Sequence, residues 1–427
     1  ITKSNFVISS FFIQPISYMK KLIRLFICIL ALLPISCSGE DSEPIQPPTE
    51  NPDPNPTPVP DPGEEDEIPA SIADSSFYYY NKAFLLEKKN SKDGLVYYKE
   101  NQSSNHWAYF WNQALIILMV EDRYYCRQDE TLKSLITDLL NAFLEHEKNS
   151  KTNDTMDWTW NDFQDDLLWA GLAFIRGYQI TGNERFLEQA KWDWEFLYNR
   201  GYDTALGGGI WWSVEKSNKS GLSNNPAVSM ACYLYESTKE EKYLEQAKDI
   251  YNWIYTTLRE PNGAIDENIS KDGVKTHSYN VYNVGAFIEA ANALYRITKN
   301  ENYARHARES IQFVMRDKVD ENGIMSKWHR DGTWQSEFAR GMGLFVKDNN
   351  LWDEQVDYTS DKKAITYYEW MRKNADAAWE TRERVNNITF NEWAKPTPLT
   401  PEPGKTWTAL EMVGAVIMTQ VTPDEKP

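Results

Sequence analysis

Residues 178–190 read Tyr-Gln-Ile-Thr-Gly-Asn-Glu-Arg-Phe-Leu-Glu-Gln-Ala, and related segments occur at 235–247 and 295–307. In each copy an apolar segment leads through a short polar turn into a second segment with apolar residues at i, i+3 and i+4, the spacing of an amphipathic helix. The equivalent residues Phe186, Tyr243 and Tyr303 are separated by 57 and 60 residues. Self-similarity at such a period is typical of repeated supersecondary units. The repeating unit is therefore predicted to be a helical hairpin.

The chain is long enough for a closed ring of these hairpins. Roughly 350 residues lie between residues 72 and 421, room for about six units at this period. Six hairpins closed in a ring form an all-α (α/α)6 barrel, in which inner helices line the core and loops gather at one end. An open solenoid is the structural alternative. Long insertions rich in glycine and aromatic residues favour the ring, because converging loops can build one site. We predict this barrel over residues 70–427.

The first 69 residues are predicted to lie outside the folded domain. Residues 1–36 comprise an upstream segment and a secretory signal, in which Met19-Lys20-Lys21 precedes an apolar run. That run is too short to span a bilayer comfortably, which favours a lipoprotein signal peptide over a membrane helix. It ends in Leu33-Pro34-Ile35-Ser36-Cys37, which resembles a bacterial lipobox. Cys37 is therefore predicted to be lipidated, and residues 37–69 to form an acidic, proline-rich tether.

The composition of this tether suggests where the protein is exported. Ten of the chain's 20 prolines lie between Pro44 and Pro69, so the segment should be extended and semi-rigid. An acidic stretch directly behind a lipidated cysteine resembles the surface-export signal of Bacteroidetes lipoproteins. We expect an outer-membrane lipoprotein that faces outward, with a periplasm-facing orientation as the alternative.

Charge and cysteine content restrict the possible partners. The formal net charge of −18 argues against nucleic acid and other polyanions as partners and suits a neutral substrate. Cys28 leaves with the signal and Cys37 carries the lipid, so Cys126 and Cys232 remain in the folded part. Two cysteines do not make a disulfide framework. Both lie among apolar residues, and we expect both to be buried free thiols.

Two adjacent carboxylates, Asp165 and Asp166, stand between an aromatic stretch and an apolar helix predicted to begin at Leu167. Cleavage of a sugar–sugar bond needs two carboxyl groups a few ångströms apart, and aromatic rings can hold the pyranose faces. Neighbouring residues at the end of a loop can hold carboxylates about 5 Å apart, the separation used by retaining glycosidases. The alternative is structural, because acidic residues before a helix commonly cap its free N–H groups and meet its positive dipole end.

Insertions between the hairpins supply further candidate ligands. They contain Gly207-Gly208-Gly209-Ile210-Trp211-Trp212, then Asn224-Asn225-Pro226, and later Tyr282-Asn283-Val284-Gly285. Glycines let the backbone approach a ligand, tryptophan rings stack on sugars, and asparagine amides both donate and accept hydrogen bonds. The glycines do not form a phosphate loop, since no Lys-Ser/Thr follows in register. A turn with core tryptophans is the structural alternative.

Taken together, the segments resemble glycoside hydrolase family 76, the bacterial and fungal endo-α-1,6-mannanases. The resemblance runs from about Ser75 to Gln420. It depends on the order and spacing of Asp165-Asp166 before Trp169-Ala170, the Gly-Gly-Gly-Ile-Trp-Trp run, Asn224-Asn225-Pro226, Tyr282-Asn283-Val284-Gly285, Gly343-Leu344-Phe345-Val346 and Asn374-Ala375-Asp376-Ala377-Ala378-Trp379. It implies an (α/α)6 barrel that cleaves α-1,6-linked mannan backbones with retention and requires no metal or organic cofactor.

The resemblance also implies roles for individual residues. Asp165 would be the nucleophile that forms a mannosyl-enzyme ester, and Asp166 would protonate the leaving oxygen and then activate water. Neighbouring like charges raise one pKa of such a pair, which keeps one carboxyl protonated near neutral pH. The residues expected to contact substrate are Trp111, Gln113, Gly208, Trp211, Trp212, Asn224, Asn225, Tyr282 and Asn283. We expect the protein to be a monomer. Its expected partners are an α-mannan polysaccharide or oligosaccharide and, through the lipid, the outer membrane.

Two positions depart from the family pattern. Leu115 follows Trp111-Asn112-Gln113-Ala114 where the family often has a histidine, and Val284 stands where a glutamine is usual. One alternative function is therefore a non-catalytic α-mannan-binding lipoprotein on the same barrel, although a binder has no use for two carboxylates forced together. Another is an (α/α)6 hydrolase of a different glycan, such as an unsaturated uronyl hydrolase. Against this alternative, the loops contain few of the Arg and Lys residues that bind anionic sugars.

Overall fold

The computed structural model describes residues 71–326, 335–357 and 364–427, all within one compact unit. This part of the chain is mainly helical. Its α-helices are α1 (Ile72–Phe84), α2 (Phe110–Cys126), α3 (Glu130–His146), α4 (Gln164–Thr181), α5 (Glu184–Gly201), α6 (Gly221–Thr238), α7 (Glu241–Thr257), α8 (Val281–Thr298), α9 (Glu301–Asp317), α10 (Gln335–Asp348), α11 (Tyr367–Glu380) and α12 (Ala409–Val421). Its strands are β1 (Leu85–Leu86), β2 (Tyr97–Tyr98), β3 (Asn218–Ser220), β4 (Asn268–Ser270), β5 (Lys275–Thr276), β6 (Gln355–Asp357) and β7 (Ala364–Thr366).

Alternate helices form a closed inner ring. α2, α4, α6, α8, α10 and α12 each pack against the next, and α12 packs against α2. The remaining helices lie outside this ring, where α3, α5, α7 and α9 each pair with the inner helix before them. α11 and α1 both pack against α12. The predicted (α/α)6 barrel is confirmed, and the open solenoid is excluded.

Burial explains which helices are inside. On α6 every residue from Ser223 to Leu234 is buried, because this helix has neighbours on nearly all sides. On the outer helix α9 the buried positions include Ala304, Ala307, Ile311 and Val314, one apolar stripe at helical spacing. Removal of this apolar surface from water is the main force that assembles the ring.

The repeated segments form tight turns at one end of the barrel. Thr181, Thr238 and Thr298 end three inner helices, and each hydroxyl accepts the N–H group two residues ahead at 3.2–3.3 Å. The residue between donor and acceptor has a positive φ in each copy: +71°, +61° and +57°. The first of these is glycine, which adopts this conformation without strain. These turns return the chain to an outer helix within two residues.

Long connections gather at the opposite end, where the inner helices begin. An antiparallel sheet joins two of them, because β3 pairs with β4 and β4 pairs with β5. The N–H of Gly221, the first residue of α6, also donates to the carbonyl of Glu267 at 2.9 Å. The sheet therefore ties the connection before α8 to the start of α6.

The predictions for the cysteines and the N-terminus have different outcomes. Cys232 is a buried free thiol, as expected. Cys126 is also free but exposed, so the prediction of burial is wrong there: it is the last residue of α2, where the helix leaves the core. The predicted signal, Cys37 and the tether lie outside the described residues. In the described ranges, no helix combines the length and apolarity needed to cross a bilayer.

We expect Gly285→Ala to destabilise the barrel because α8 and α10 cross at this glycine. A Cβ at Gly285 would overlap the backbone of Glu337 and Phe338, which has no flexible end that can move away. Overpacking of this kind costs about 1–3 kcal/mol or more. Urea unfolding followed by circular dichroism measures the loss.

Gly171→Ala is the matched control on another inner helix. Its Cβ would meet the end of the Met230 side chain, which is flexible and can change rotamer. Alanine also favours a helix over glycine by about 1 kcal/mol. Equal stability losses in the two variants would contradict the close backbone crossing at Gly285.

Candidate active site

A short bridge between two connections sets the position of the first turn of α4. Phe163 pairs with Ser213 across an isolated β-bridge. The Gln164 N–H donates to the Trp212 carbonyl at 2.9 Å, and the Val214 N–H donates to the Asp162 carbonyl at 3.0 Å. This pairing brings the Trp212 side chain beside the start of α4.

Asp165 and Asp166 lie in the first turn of α4, which begins at Gln164 and not at Leu167 as predicted. They are only 8% and 7% exposed. The Trp212 Nε1–H donates to Asp165 Oδ2 at 2.9 Å, and the Asn161 Nδ2 amide donates to Asp166 Oδ2 at 3.1 Å. The structure thus brings both predicted catalytic residues and Trp212 together, and adds Asn161, which was not predicted as a site residue.

The two carboxyls have different electrostatic environments. Burial raises the pKa of Asp165 to about 7, although the Trp212 N–H and backbone N–H groups of the first turn lower it. Burial and then the charge of Asp165 raise the pKa of Asp166 well above its usual range. Near neutral pH the arrangement therefore favours an ionised Asp165 beside a protonated Asp166. A carboxylate and a carboxylic acid side by side can perform nucleophilic and acid catalysis in one step.

Glu267 organises a second group of predicted site residues. Its carboxylate accepts from the Tyr282 hydroxyl at 2.5 Å, from Asn283 Nδ2 at 3.0 Å and from Asn280 Nδ2 at 2.8 Å. The negative charge of Glu267 also raises the pKa of Asp165. Glu267 and Asn280 were not predicted. This acidic network therefore borders the Asp165 side of the pair.

Asn225 joins this network from α6. Its Nδ2 amide donates to the Asn283 carbonyl at 3.1 Å. Within the described residues, the Oδ1 atoms of Asn225 and Asn283 are buried without a hydrogen-bond partner. An unsatisfied buried acceptor is costly, and a ligand hydroxyl is one group that can satisfy it. The predicted contacts Asn225, Tyr282 and Asn283 thus lie together.

Two other predicted amides bond to the protein backbone. Asn224 Oδ1 accepts from the Ile210 N–H at 2.7 Å, and its Nδ2 donates to the carbonyls of Ile210 and Ser220. Gln113 Oε1 accepts from the Tyr98 N–H at 3.0 Å, and Gln113 Nε2 donates to the Tyr98 carbonyl at 3.1 Å. Both side chains are fully buried, and these bonds fix loops at the barrel mouth. Their binding of sugar stays a prediction, as does that of Trp111, which is half-buried in the first turn of α2.

Gly208 and Trp211 belong to a separate buried cluster. The Lys219 ammonium donates to the Gly208 carbonyl at 2.7 Å and lies 4.8 Å from the centre of the Trp211 ring. The Trp211 Nε1–H donates to Asp203 Oδ2 at 2.7 Å, and Lys219 also bonds Asp203. These contacts stabilise the glycine-rich turn, and none of them involves the carboxylate pair. Contact of Gly208 or Trp211 with substrate stays a prediction.

A closed ring of six helical hairpins, with paired buried carboxylates where its inner helices begin, defines a barrel-type carbohydrate hydrolase. The model of glycosyl hydrolase family 76 matches residues 68–426. The chain therefore belongs to this family, which places it among the glycoside hydrolases.

Known relatives share this fold. A variant of the α-1,6-mannanase GH76A of Salegentibacter sp. HEL1_6, inactive through replacement of two adjacent aspartates by alanine, has been solved with α-1,6-mannotetraose. It is 22% identical, with a TM-score of 0.68 over 82% of this chain and 97% of that one. A family 76 mannosidase of Bacteroides thetaiotaomicron is 20% identical, with a TM-score of 0.65 over 82% and 97%.

A curated relative matches over a shorter range. A Schizosaccharomyces pombe protein, provisionally named a mannan endo-1,6-alpha-mannosidase, is 23% identical over 228 residues. The match spans 49% of this chain and 50% of the length of that relative.

We expect Trp212→Phe to raise the pKa of Asp165 above 7. The variant keeps an aromatic ring beside Phe163 but loses the N–H that stabilises the ionised carboxylate. A hydrogen bond to a charged group contributes about 1.5–3 kcal/mol, so the pKa should rise by about one to two. Carbon-13 NMR titration of labelled aspartate carboxyls measures the change.

Trp211→Phe is the control for this titration, because the Trp211 N–H donates to Asp203 and not to the pair. It should leave the Asp165 titration unchanged. A shift of Asp165 in both variants, or in neither, would show that the Trp212 N–H does not set its pKa.

Proposed function

We propose that this protein is a retaining, endo-acting glycoside hydrolase that cleaves α-1,6-mannosidic bonds in mannan backbones. The observation that carries the proposal is the pair Asp165–Asp166, buried side by side where an inner helix of a family 76 barrel begins. The Salegentibacter α-1,6-mannanase made inactive by changing two adjacent aspartates supports the same use of the pair here.

In the first step, a carboxylate oxygen of Asp165 attacks the anomeric carbon of the mannosyl unit as the bond from that carbon to the leaving O6 breaks. Asp166 gives its proton to O6, so the leaving chain departs as a neutral alcohol. The product is a mannosyl ester of Asp165, and Asp166 is now ionised. The raised pKa of Asp166 supports its role as the acid.

In the second step, the ionised Asp166 takes a proton from a water molecule, whose oxygen attacks the anomeric carbon. The ester bond breaks and Asp165 leaves as a carboxylate, which restores the starting protonation states. Two inversions at one carbon give net retention. The Trp212 N–H lowers the pKa of Asp165, which makes this carboxylate a better leaving group.

We expect Asp165→Asn and Asp166→Asn each to reduce the hydrolysis of debranched α-1,6-mannan by several orders of magnitude. Loss of the nucleophile should cost about 1,000-fold or more, and loss of the acid about 100- to 10,000-fold. A dinitrophenyl α-mannobioside separates the roles, because its leaving group needs no proton. Asp166→Asn should still release dinitrophenolate from it, whereas Asp165→Asn should not.

Asp162→Asn is the matched control, because Asp162 is an exposed acid in the same connection. It should retain activity. Wild-type activity in either variant of the pair would overturn the mechanism, and NMR of the first-formed anomer tests retention. Binding of α-mannan without cleavage by the wild-type protein would instead favour the non-catalytic alternative.

We further propose that the protein is an outer-membrane lipoprotein held by Cys37 and exposed outward through its acidic tether. The lipobox-like sequence before Cys37 supports this location. We expect Cys37→Ala to move the protein from the membrane fraction to the soluble fraction of expressing cells, as immunoblotting would detect. Retention of the variant in the membrane fraction would contradict lipidation at this residue.

A further inference from the structure

Two exposed aromatic rings stand near Asp166. Trp160 is 41% exposed, the most exposed tryptophan of the described residues, and Tyr109 is 51% exposed. Phe110, the neighbour of Tyr109, packs against Trp160 with ring centroids 5.4 Å apart and planes nearly perpendicular. Two different connections thus present their rings on one side of the barrel mouth. Exposed aromatic rings that lie close together can form one binding surface.

Hydrogen bonds hold the Trp160 ring and the backbone that carries Tyr109. Asn161 follows Trp160 directly and donates its side-chain amide to Asp166. The Trp160 Nε1–H donates to the carbonyl of Glu147 at 3.3 Å. Tyr109 is the N-cap residue of α2, and its carbonyl accepts the Gln113 N–H at 2.9 Å. Hydrogen bonds therefore fix the main chain at both Trp160 and Tyr109.

Electrostatic coupling also places these groups beside the pair. Burial and then the charges of Asp166, Glu147 and Asp165 raise the pKa of the Tyr109 phenol to about 12. The charge of Glu147 also raises the pKa of Asp166, whereas that of Glu267 raises the pKa of Asp165. The mouth thus has an Asp166 side with Tyr109, Trp160 and Glu147, and an Asp165 side with Glu267.

We propose that Tyr109, Trp160 and Glu147 form the subsite for the leaving mannosyl unit of an α-1,6-mannan chain. This inference rests on the proposed function, because the proton donor Asp166 must face the oxygen that departs. The rings offer flat apolar surfaces for the C–H face of a neutral pyranose. The half-buried Glu147 carboxyl offers hydrogen bonds to its hydroxyls.

The test compares two substrates with different leaving groups, a mannosyl chain and a fluoride ion. α-1,6-Mannotetraose places mannosyl units on both sides of the cleaved bond, whereas α-1,6-mannobiosyl fluoride releases an ion too small to reach the rings. We expect Trp160→Ala and Tyr109→Ala each to lower kcat/KM for the tetraose about tenfold, the usual value of one aromatic contact. The kcat/KM for the fluoride should change by less than about twofold. Glu147→Ala should show the same selectivity.

Tyr255→Ala is the control, because Tyr255 is also an exposed ring but lies on the outer helix α7 against His306. It should leave kcat/KM unchanged for both substrates. Circular dichroism and thermal unfolding confirm that each variant is folded.

Three results would overturn the proposal. An unchanged kcat/KM for the tetraose in Trp160→Ala and Tyr109→Ala would show that the leaving sugar does not contact these rings. Equal losses for tetraose and fluoride would show that the rings support the carboxylate pair and not the leaving unit. A wild-type protein that hydrolyses neither substrate would refute the proposed function itself, and the subsite with it.

Discussion

Closure of the inner helical ring is the constraint on which the candidate site depends. Because an outer helix returns the chain between successive inner helices, the inner helices run in the same direction and begin at one end. Asp165 lies in the first turn of α4 and Asn283 in that of α8, and Asn225 is the fifth residue of α6. In an open array the first and last hairpins would not meet, and α12 would not support α2. Residues distant in sequence converge because the ring is complete.

A buried ionic network links three helices of the same ring below the site. Arg340 on α10 donates to Asp122 at 2.8 Å and to Glu337 at 2.6 Å, and Arg176 on α4 donates to Asp122 at 2.6 Å. Buried ion pairs add little net stability, but loss of one partner leaves an uncompensated charge. The network therefore penalises any displacement of α2, α4 or α10 along its axis. Arg176 and the carboxylate pair both lie on α4. By fixing the position of α4 along its axis, the network therefore also fixes the position of the pair at the barrel mouth.

The repeat allowed the fold to be predicted from the sequence. The hydrogen-bond partner of each polar side chain could not be predicted in the same way. The apolar spacing around Phe186, Tyr243 and Tyr303 follows from helix geometry, which is local. The amide side chain of Asn224 is of a type that binds sugar hydroxyls, but it forms hydrogen bonds with the backbone of Ile210 in the connection that folds over it. Glu267 had no local signal, because only the pairing of β4 with β3 and β5 brings it to Tyr282. Local periodicity is visible in a sequence, and hydrogen bonds between distant connections are not.

The same reasoning explains how two identical neighbours can perform different chemistry. Both aspartates are buried, so desolvation alone would raise both pKa values together. Asp165 receives an indole N–H and the N–H groups of the first turn, which stabilise its charge. Asp166 receives one amide and faces the charges of Asp165 and Glu147, which favour its neutral form. The assignment of nucleophile and acid therefore comes from the hydrogen-bond donors and charges that the connections place beside each aspartate at the start of α4. Exchange of these surroundings would exchange the roles.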